Sequence, residues 1–163
     1  MKEKCVISII GPGVMAEAFI GGLLRNHVTA PEGIVISGPR QERVDQLHEK
    51  FGVQPFTDNA LAVKDAEIVI LTVKPQRLNA VLTGLRDHIQ KDALVISIVA
   101  GASIESIQKG LNHENVVRAM PNTPAQIGEG ITVWTISRNG SQNHADKACE
   151  ILGAFGEEIF VEE

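Results

Sequence analysis

The stretch from Cys5 to Asn26 constrains the fold of this chain more than any other. Cys5-Val6-Ile7-Ser8-Ile9-Ile10 is an apolar run of strand length, and Gly11-Pro12-Gly13-Val14-Met15-Ala16 follows at once. A helical period then takes over, with Met15, Ala18, Phe19, Gly22 and Leu23 repeating on one face. Strand, glycine turn and helix, in that order, are the context in which a glycine fingerprint reads as a dinucleotide site. Gly11 permits the sharp turn, Gly13 lets the backbone come up against a pyrophosphate, and Ala16 is small enough for helix and strand to pack closely. The first helical turn then offers free N–H groups and a partial positive charge to the phosphates.

The bulk properties narrow the alternatives. A chain of 163 residues with 44% hydrophobic content makes one domain with a real core and leaves no room for a second. A formal charge of -5 gives no diffuse basic field, so neither nucleic acid nor an anionic membrane is an expected partner, and phosphate binding must be local. No apolar run approaches the roughly 20 residues of a membrane span. Met1-Lys2-Glu3-Lys4 leads into a strand rather than a signal sequence, so the expected location is cytoplasmic. Cys5 and Cys149 lack CxxC spacing and clustered histidines; no metal site or redox pair is expected, and both are read as buried thiols. His27, His48, His88, His113 and His144 lie in polar helix or loop settings and are read as solvated.

Further along, Ile34-Val35-Ile36-Ser37 is the second strand, ended by Gly38-Pro39-Arg40. In a dinucleotide fold this tip faces the adenosine ribose, where an Asp or Glu would take the 2′-hydroxyl of NAD. No carboxylate stands there, since Glu32 precedes the strand and Glu42 lies inside the next helix. Ser37 and Gly38 leave room, and the guanidinium of Arg40 suits a 2′-phosphate, so NADP is expected over NAD. The alternative for Arg40 is a solvated residue at a helix start. Gln41 to Phe51 is a helix, Gly52-Val53 introduces a short strand, and Thr57-Asp58-Asn59 precedes a brief helix. Asp58 or Asn59 caps that helix, and Asn59 is also in reach of a cofactor; the pattern leaves both open.

Ile68 to Val73 is apolar throughout, as an interior parallel strand requires, and Lys74-Pro75-Gln76 follows directly. Lys74 thus places a cation outside the carboxyl end of a strand, where ligands of open parallel sheets bind; its alternative is a surface lysine. Leu78, Val81, Leu82 and Leu85 mark a covering helix. Leu94 to Val99 is the next buried strand, ending in Ala100-Gly101-Ala102-Ser103, with Ser103 as the expected cap of a helix through Leu111. Val116 to Met120 and Ile131 to Ile136 are strands about ten residues apart, too close for a crossover helix, so they should pair antiparallel. His144 to Phe155 is the last helix and Glu158 to Val161 the last strand. The expected fold is α/β, a Rossmann-type doubly wound, mostly parallel sheet of about eight strands, with helices on both faces and one antiparallel strand near the C-terminal end.

Ile10-Gly11-Pro12-Gly13-Val14-Met15, Val73-Lys74-Pro75-Gln76, Ser97-Ile98-Val99-Ala100-Gly101, and Arg118-Ala119-Met120-Pro121-Asn122-Thr123-Pro124 with Gly128-Glu129-Gly130 together resemble pyrroline-5-carboxylate reductase. The first motif is generic to nucleotide folds, whereas the MPNTP stretch is specific. The resemblance implies reduction of 1-pyrroline-5-carboxylate to L-proline by NADPH or NADH. It implies pyrophosphate contacts from Ile10, Gly11, Pro12, Gly13, Val14 and Met15, and adenosine contacts from Ser37, Gly38 and Arg40. It places Asn59 at a ribose, Val73, Lys74, Pro75 and Gln76 along the dinucleotide, and Ile98, Val99, Ala100 and Gly101 beside the nicotinamide. Asn122 and Thr123 would border the place where hydride meets imine, as positioning groups more than proton donors.

The family also carries an all-helical C-terminal domain that forms the dimer and supplies much of the substrate pocket, and homo-oligomerisation is expected only with it. Residues 1–163 correspond to the cofactor domain alone, so the chain is expected to be either the cofactor half of a longer reductase or a free-standing relative. Two other functions stay open: an NADP-binding or sensing module without catalysis, and another NADP oxidoreductase on the same fold, which the MPNTP stretch disfavours.

Overall fold

Apolar runs without alternation form strands that are covered on both faces, and such runs make the centre of this sheet. The computed structural model describes residues 5–122 and 128–162. In it β1 (Ile7–Ile10), β2 (Ile34–Ser37), β4 (Ile68–Leu71) and β5 (Leu94–Ser97) are buried at every position, and β3 (Gln54–Phe56) is short and more exposed. β6 (Val116–Pro121), β7 (Gly130–Ile136) and β8 (Gly156–Phe160) complete the sheet. The eight strands run in the order β3-β2-β1-β4-β5-β6-β7-β8. Pro55 lies on the edge strand β3, where a missing N–H is tolerated.

All pairs are parallel except β6 with β7, which pair antiparallel from Val117↔Ile136 to Pro121↔Thr132, as their short connection requires. β8 follows β7 in parallel, so two strands, where one was expected, run against the first six. The cause is α6 (Gln142–Gly153), a crossover helix that returns the chain to the same end of the sheet.

Among the described residues six α-helices cover the sheet. Residues of α1 (Val14–Arg25), α2 (Gln41–Phe51) and α6 share one buried cluster, including Phe19, Leu23, Val44, Leu47, Ala148 and Leu152. Residues of α3 (Asn59–Val63), α4 (Leu78–Leu85) and α5 (Ile104–Leu111) share the other, including Val63, Leu82, Leu85 and Ile107. The buried face of α1 is Ala16, Phe19, Ile20, Gly22 and Leu23, whereas Met15 and Ala18 are only partly covered. The sequence period centres this face slightly off, because α1 is wedged against Phe155, whose ring meets that of Phe19 edge-on at 4.1 Å. A Cβ on Gly22 would lie 2.9 Å from the same ring, which explains the glycine.

Two histidines and one cysteine depart from expectation. His113 and His144 are buried rather than solvated, because their Nε2 atoms donate to the carbonyls of Ala93 and Asp92 at 2.7 and 2.9 Å and so tie the connection after α5, and α6, to the lead-in of β5. Cys149 is exposed rather than buried, and its thiol donates to Glu158 Oε1 at 3.1 Å. Cys5 is half-buried; burial, with Glu67 beside it, pushes its thiol up to about 11.

Candidate dinucleotide-binding site

The carboxyl ends of β1, β2, β4 and β5 form a crest, and Gly11 is its most constrained point. Gly11 has φ +106°, and a Cβ there would lie 2.9 Å from the backbone nitrogen of Val73. Its N–H donates to the Ser37 carbonyl at 2.9 Å, and its own carbonyl accepts from Thr72 Oγ1 at 2.7 Å. The turn after β1 is thus held between the tips of β2 and β4. Only glycine fits.

Gly13 is the opposite case. A Cβ there would meet nothing within 4 Å. The space in front of its backbone is open at the start of α1, where Gly13 supplies no side-chain cap. The starts of α2, after Arg40, and α4, after Arg77, likewise lack side-chain caps. By contrast, Asp58 caps α3, Ser103 caps α5 and Ser141 caps α6. The choice left open at residues 58 and 59 is therefore resolved: Asp58 Oδ1 accepts from the Ala60 and Leu61 N–H groups, and Asn59 is free of capping. Uncapped first turns leave N–H groups and dipole ends available to negative charge.

The β2 side of the crest is built by close approach. A Cβ on Gly38 would lie 2.3 Å from Pro12 Cδ, so the turns after β1 and β2 touch only because residue 38 has none. Ser37 is fully buried and its Oγ donates to Asn59 Oδ1 at 2.7 Å. That bond fixes the Asn59 amide with its NH2 group uncommitted. Arg40 is exposed and, with Glu42, Arg43 and Gln46, lines a groove of about 170 Å³.

On the other side of Gly11, Val73 abuts the turn, and Lys74, Pro75 and Gln76 are exposed at the tip of β4. After β5, Ile98 is half-buried, Val99 is buried with its N–H bonded to Ser97 Oγ at 3.2 Å, and Ala100 and Gly101 are exposed. Gly101 has φ +76° and open space around it. Asn122, at the end of β6, is exposed, and its Oδ1 accepts from the Ile131 N–H at 3.0 Å. This oxygen is engaged in joining β6 to β7. Thr123 lies outside the described residues.

Sequence reasoning missed three side chains at the crest. Thr72 was hidden inside an apolar run, although its hydroxyl clamps the glycine turn. Arg43 donates from Nε to the Pro12 carbonyl at 2.7 Å and from Nη2 to Glu17 at 3.0 Å. Arg43 follows Arg40 by three residues, one helical turn, and that spacing was the available signal. Glu17 also pairs with Lys50, and the bonds from Lys50 and Arg43 hold its carboxyl below the usual carboxylate range. Among the described residues no group of three or more His, Cys, Asp or Glu could hold a metal ion, and no helix is long and apolar enough to cross a membrane.

Residues 6–101, which run from β1 to Gly101, match the family model described as NADP oxidoreductase coenzyme F420-dependent. The chain is 40% identical to a pyrroline-5-carboxylate reductase of Synechocystis sp. over 157 residues, which is 96% of this chain and 58% of that protein. A solved pyrroline-5-carboxylate reductase of Coxiella burnetii superposes with a TM-score of 0.93 at 31% identity, covering 99% of this chain and 60% of the other. The fold is shared with the Plasmodium falciparum pyrroline carboxylate reductase solved with NADP bound, at a TM-score of 0.86 and 22% identity, over 99% of this chain and 59% of that one. The chain spans about three fifths of the length of the curated relatives it matches. The resemblance carried by the MPNTP stretch and its companions is thus borne out, and the chain belongs to the NADP oxidoreductase coenzyme F420-dependent family.

Proposed function

We propose that this chain is the cofactor-holding part of a pyrroline-5-carboxylate reductase. The observation that carries the reading is the pair of glycines in the first turn. Gly11 is locked between β2 and β4, while Gly13 faces open space at an uncapped helix start, in a chain similar along nearly its whole length to such reductases. A pyrophosphate fits the space before Gly13, with Val14 and Met15 offering backbone N–H groups. Ser37 holds Asn59 toward the ribose, and Arg40 meets a 2′-phosphate, which favours NADPH over NADH. Val73 to Gln76 follow the dinucleotide, and Ile98 to Gly101 leave room for the nicotinamide ring.

When bound, the nicotinamide supplies hydride to the carbon of the C=N bond of 1-pyrroline-5-carboxylate, giving L-proline. The protonated imine is the better acceptor, so the chain's own task is to align ring and imine within about 3 to 3.5 Å. Asn122 acts in that alignment by fixing the end of β6, with Thr123 next to it. Residues 1–163 form the nucleotide domain of a cytoplasmic enzyme of proline biosynthesis, and a helical domain supplies the dimer contacts and the rest of the substrate pocket.

Titration with NADPH and with NADH, followed by nicotinamide fluorescence, is expected to show binding of both and tighter binding of NADPH. No binding at millimolar concentration would overturn the reading. Joined to the remaining two fifths of a reductase relative, the chain is expected to form proline from pyrroline-5-carboxylate. Cofactor binding without turnover in that fusion would reject the substrate and keep the cofactor site.

A further inference from the structure

We infer that Arg43, oriented by Glu17, is a positioning residue that holds the pyrophosphate turn open, and that it is not a contact for the ribose phosphate. The inference rests on the crest being a nicotinamide-dinucleotide site. Gly11 is pinned by backbone and Thr72, but the next carbonyl, of Pro12, has no backbone donor among the described residues. Arg43 Nε supplies one at 2.7 Å from a helix 31 positions away. The same guanidinium donates from Nη2 to Glu17 Oε2 at 3.0 Å, so one planar group spans the turn and the first turn of α1. Its side chain is only 23% exposed, whereas Arg40 is exposed and makes no such bond among the described residues.

The consequence is a direction for two peptides. The Pro12 carbonyl is held toward α2, with the Gly13 N–H of the same peptide turned back onto the Gly11 carbonyl at 2.9 Å, and the Gly13 carbonyl accepts from the Glu17 N–H at 3.1 Å and from Arg43 Nη2 at 3.5 Å. In a planar trans peptide the N–H points away from the carbonyl, so the Val14 N–H is directed to the open side, where Gly13 has no neighbour. A turn relaxed out of this arrangement would present a carbonyl oxygen to the phosphates, which repels them. Glu17 is an acid in the first turn of a helix meant to meet an anion, a poor choice unless it is neutralised. Arg43 and Lys50 neutralise it, and its function is then to set the plane of Arg43.

Four ligands separate positioning from contact: ADP-ribose and NADH carry the pyrophosphate without a 2′-phosphate, adenosine 2′-phosphate carries the reverse, and NADPH carries both. Arg43→Ala is expected to weaken ADP-ribose, NADH and NADPH by the same factor, about tenfold, and to leave adenosine 2′-phosphate unchanged. Arg43→Lys keeps the charge but cannot span both partners, so it should show most of the same loss, and Glu17→Gln a smaller one in the same three ligands. A loss confined to NADPH and adenosine 2′-phosphate would overturn the inference and make Arg43 a phosphate contact. So would unchanged affinity for all four in variants that keep the native circular dichroism spectrum. If Arg43→Ala does not fold, the ligand pattern of Arg43→Lys decides. Failure of the underlying reading looks different, because the unsubstituted protein would then bind none of the four.

Discussion

β1, β2, β4 and β5 are buried at every residue, whereas β7 alternates, with Thr132 and Trp134 inside and Ile131 and Val133 at 43% and 39% exposure. The first region is a three-layer sandwich, with α1 and α2 on one face and α3, α4 and α5 on the other. Among the described residues the second has α6 on one face only. Met120, Val133 and Ile159 form a cross-strand row on its open side, all exposed. The crest proposed to hold the cofactor lies in the first region, where the tips of β1, β2 and β4 are tied together by hydrogen bonds. The two-layer region ends in Asn122, which joins its strands.

The largest effect tests whether the second region has a core at all. Trp134 is 5% exposed, packs on Phe160 with ring centroids 4.9 Å apart, and donates from Nε1 to Glu158. Trp134→Ala is expected to cost about 3 to 5 kcal/mol in denaturant unfolding. A loss below about 1 kcal/mol would mean that α6 does not stabilise this part of the sheet.

The next effect belongs to the crest and separates folding from binding. Gly13→Val adds a side chain where nothing lies within 4 Å and φ is -93°, so the melting temperature should stay within a degree or two. Affinity for NADPH and NADH alike should fall by at least about 100-fold, some 2.7 kcal/mol, because the side chain fills the pyrophosphate space. Unchanged affinity would remove the diphosphate from this turn. Smaller and selective is Arg40→Ala, which should weaken NADPH by about 10- to 100-fold, or roughly 1.5 to 3 kcal/mol, and NADH little. Equal losses would contradict a 2′-phosphate role.

The two regions also differ in how much of them can be read from residues alone. In the first, β1, β2, β4 and β5 are apolar apart from at most one serine each, and burial follows hydropathy except at Ser8, Ser37 and Ser97, which are buried as well. Those four strands, their approximate bounds and the glycine turn were legible for that reason. In β7 hydropathy and burial run opposite, since Thr132 is buried while Ile131 and Val133 are exposed. No period in Ile131-Thr132-Val133-Trp134 tells which face is covered. The reversal of β8 was missed because its direction depends on where α6 returns, a tertiary fact. Among crest residues, backbone-shaped roles such as those of Gly11, Gly13 and Gly38 were visible because only glycine satisfies them. Roles made by side chains that bond across elements, as those of Arg43 and Thr72 do, leave at most a faint local signal such as the Arg40–Arg43 spacing.

The smallest effect bears on the open face itself. Val133 stands between Met120 and Ile159 with 39% of its surface exposed, and its β-branched shape is matched by threonine. Val133→Thr removes little buried apolar area from the isolated chain, so its unfolding free energy should move by no more than about 0.5 kcal/mol. The same change in a covered strand, such as Val95→Thr in β5, places a hydroxyl at a fully buried position and should cost about 1 to 3 kcal/mol. The ratio between these two losses measures the asymmetry of the sheet directly. If Val133→Thr costs as much as Val95→Thr, something covers this face in solution. Sedimentation would then distinguish a second copy of the chain, which changes the mass, from packing within one copy, which does not.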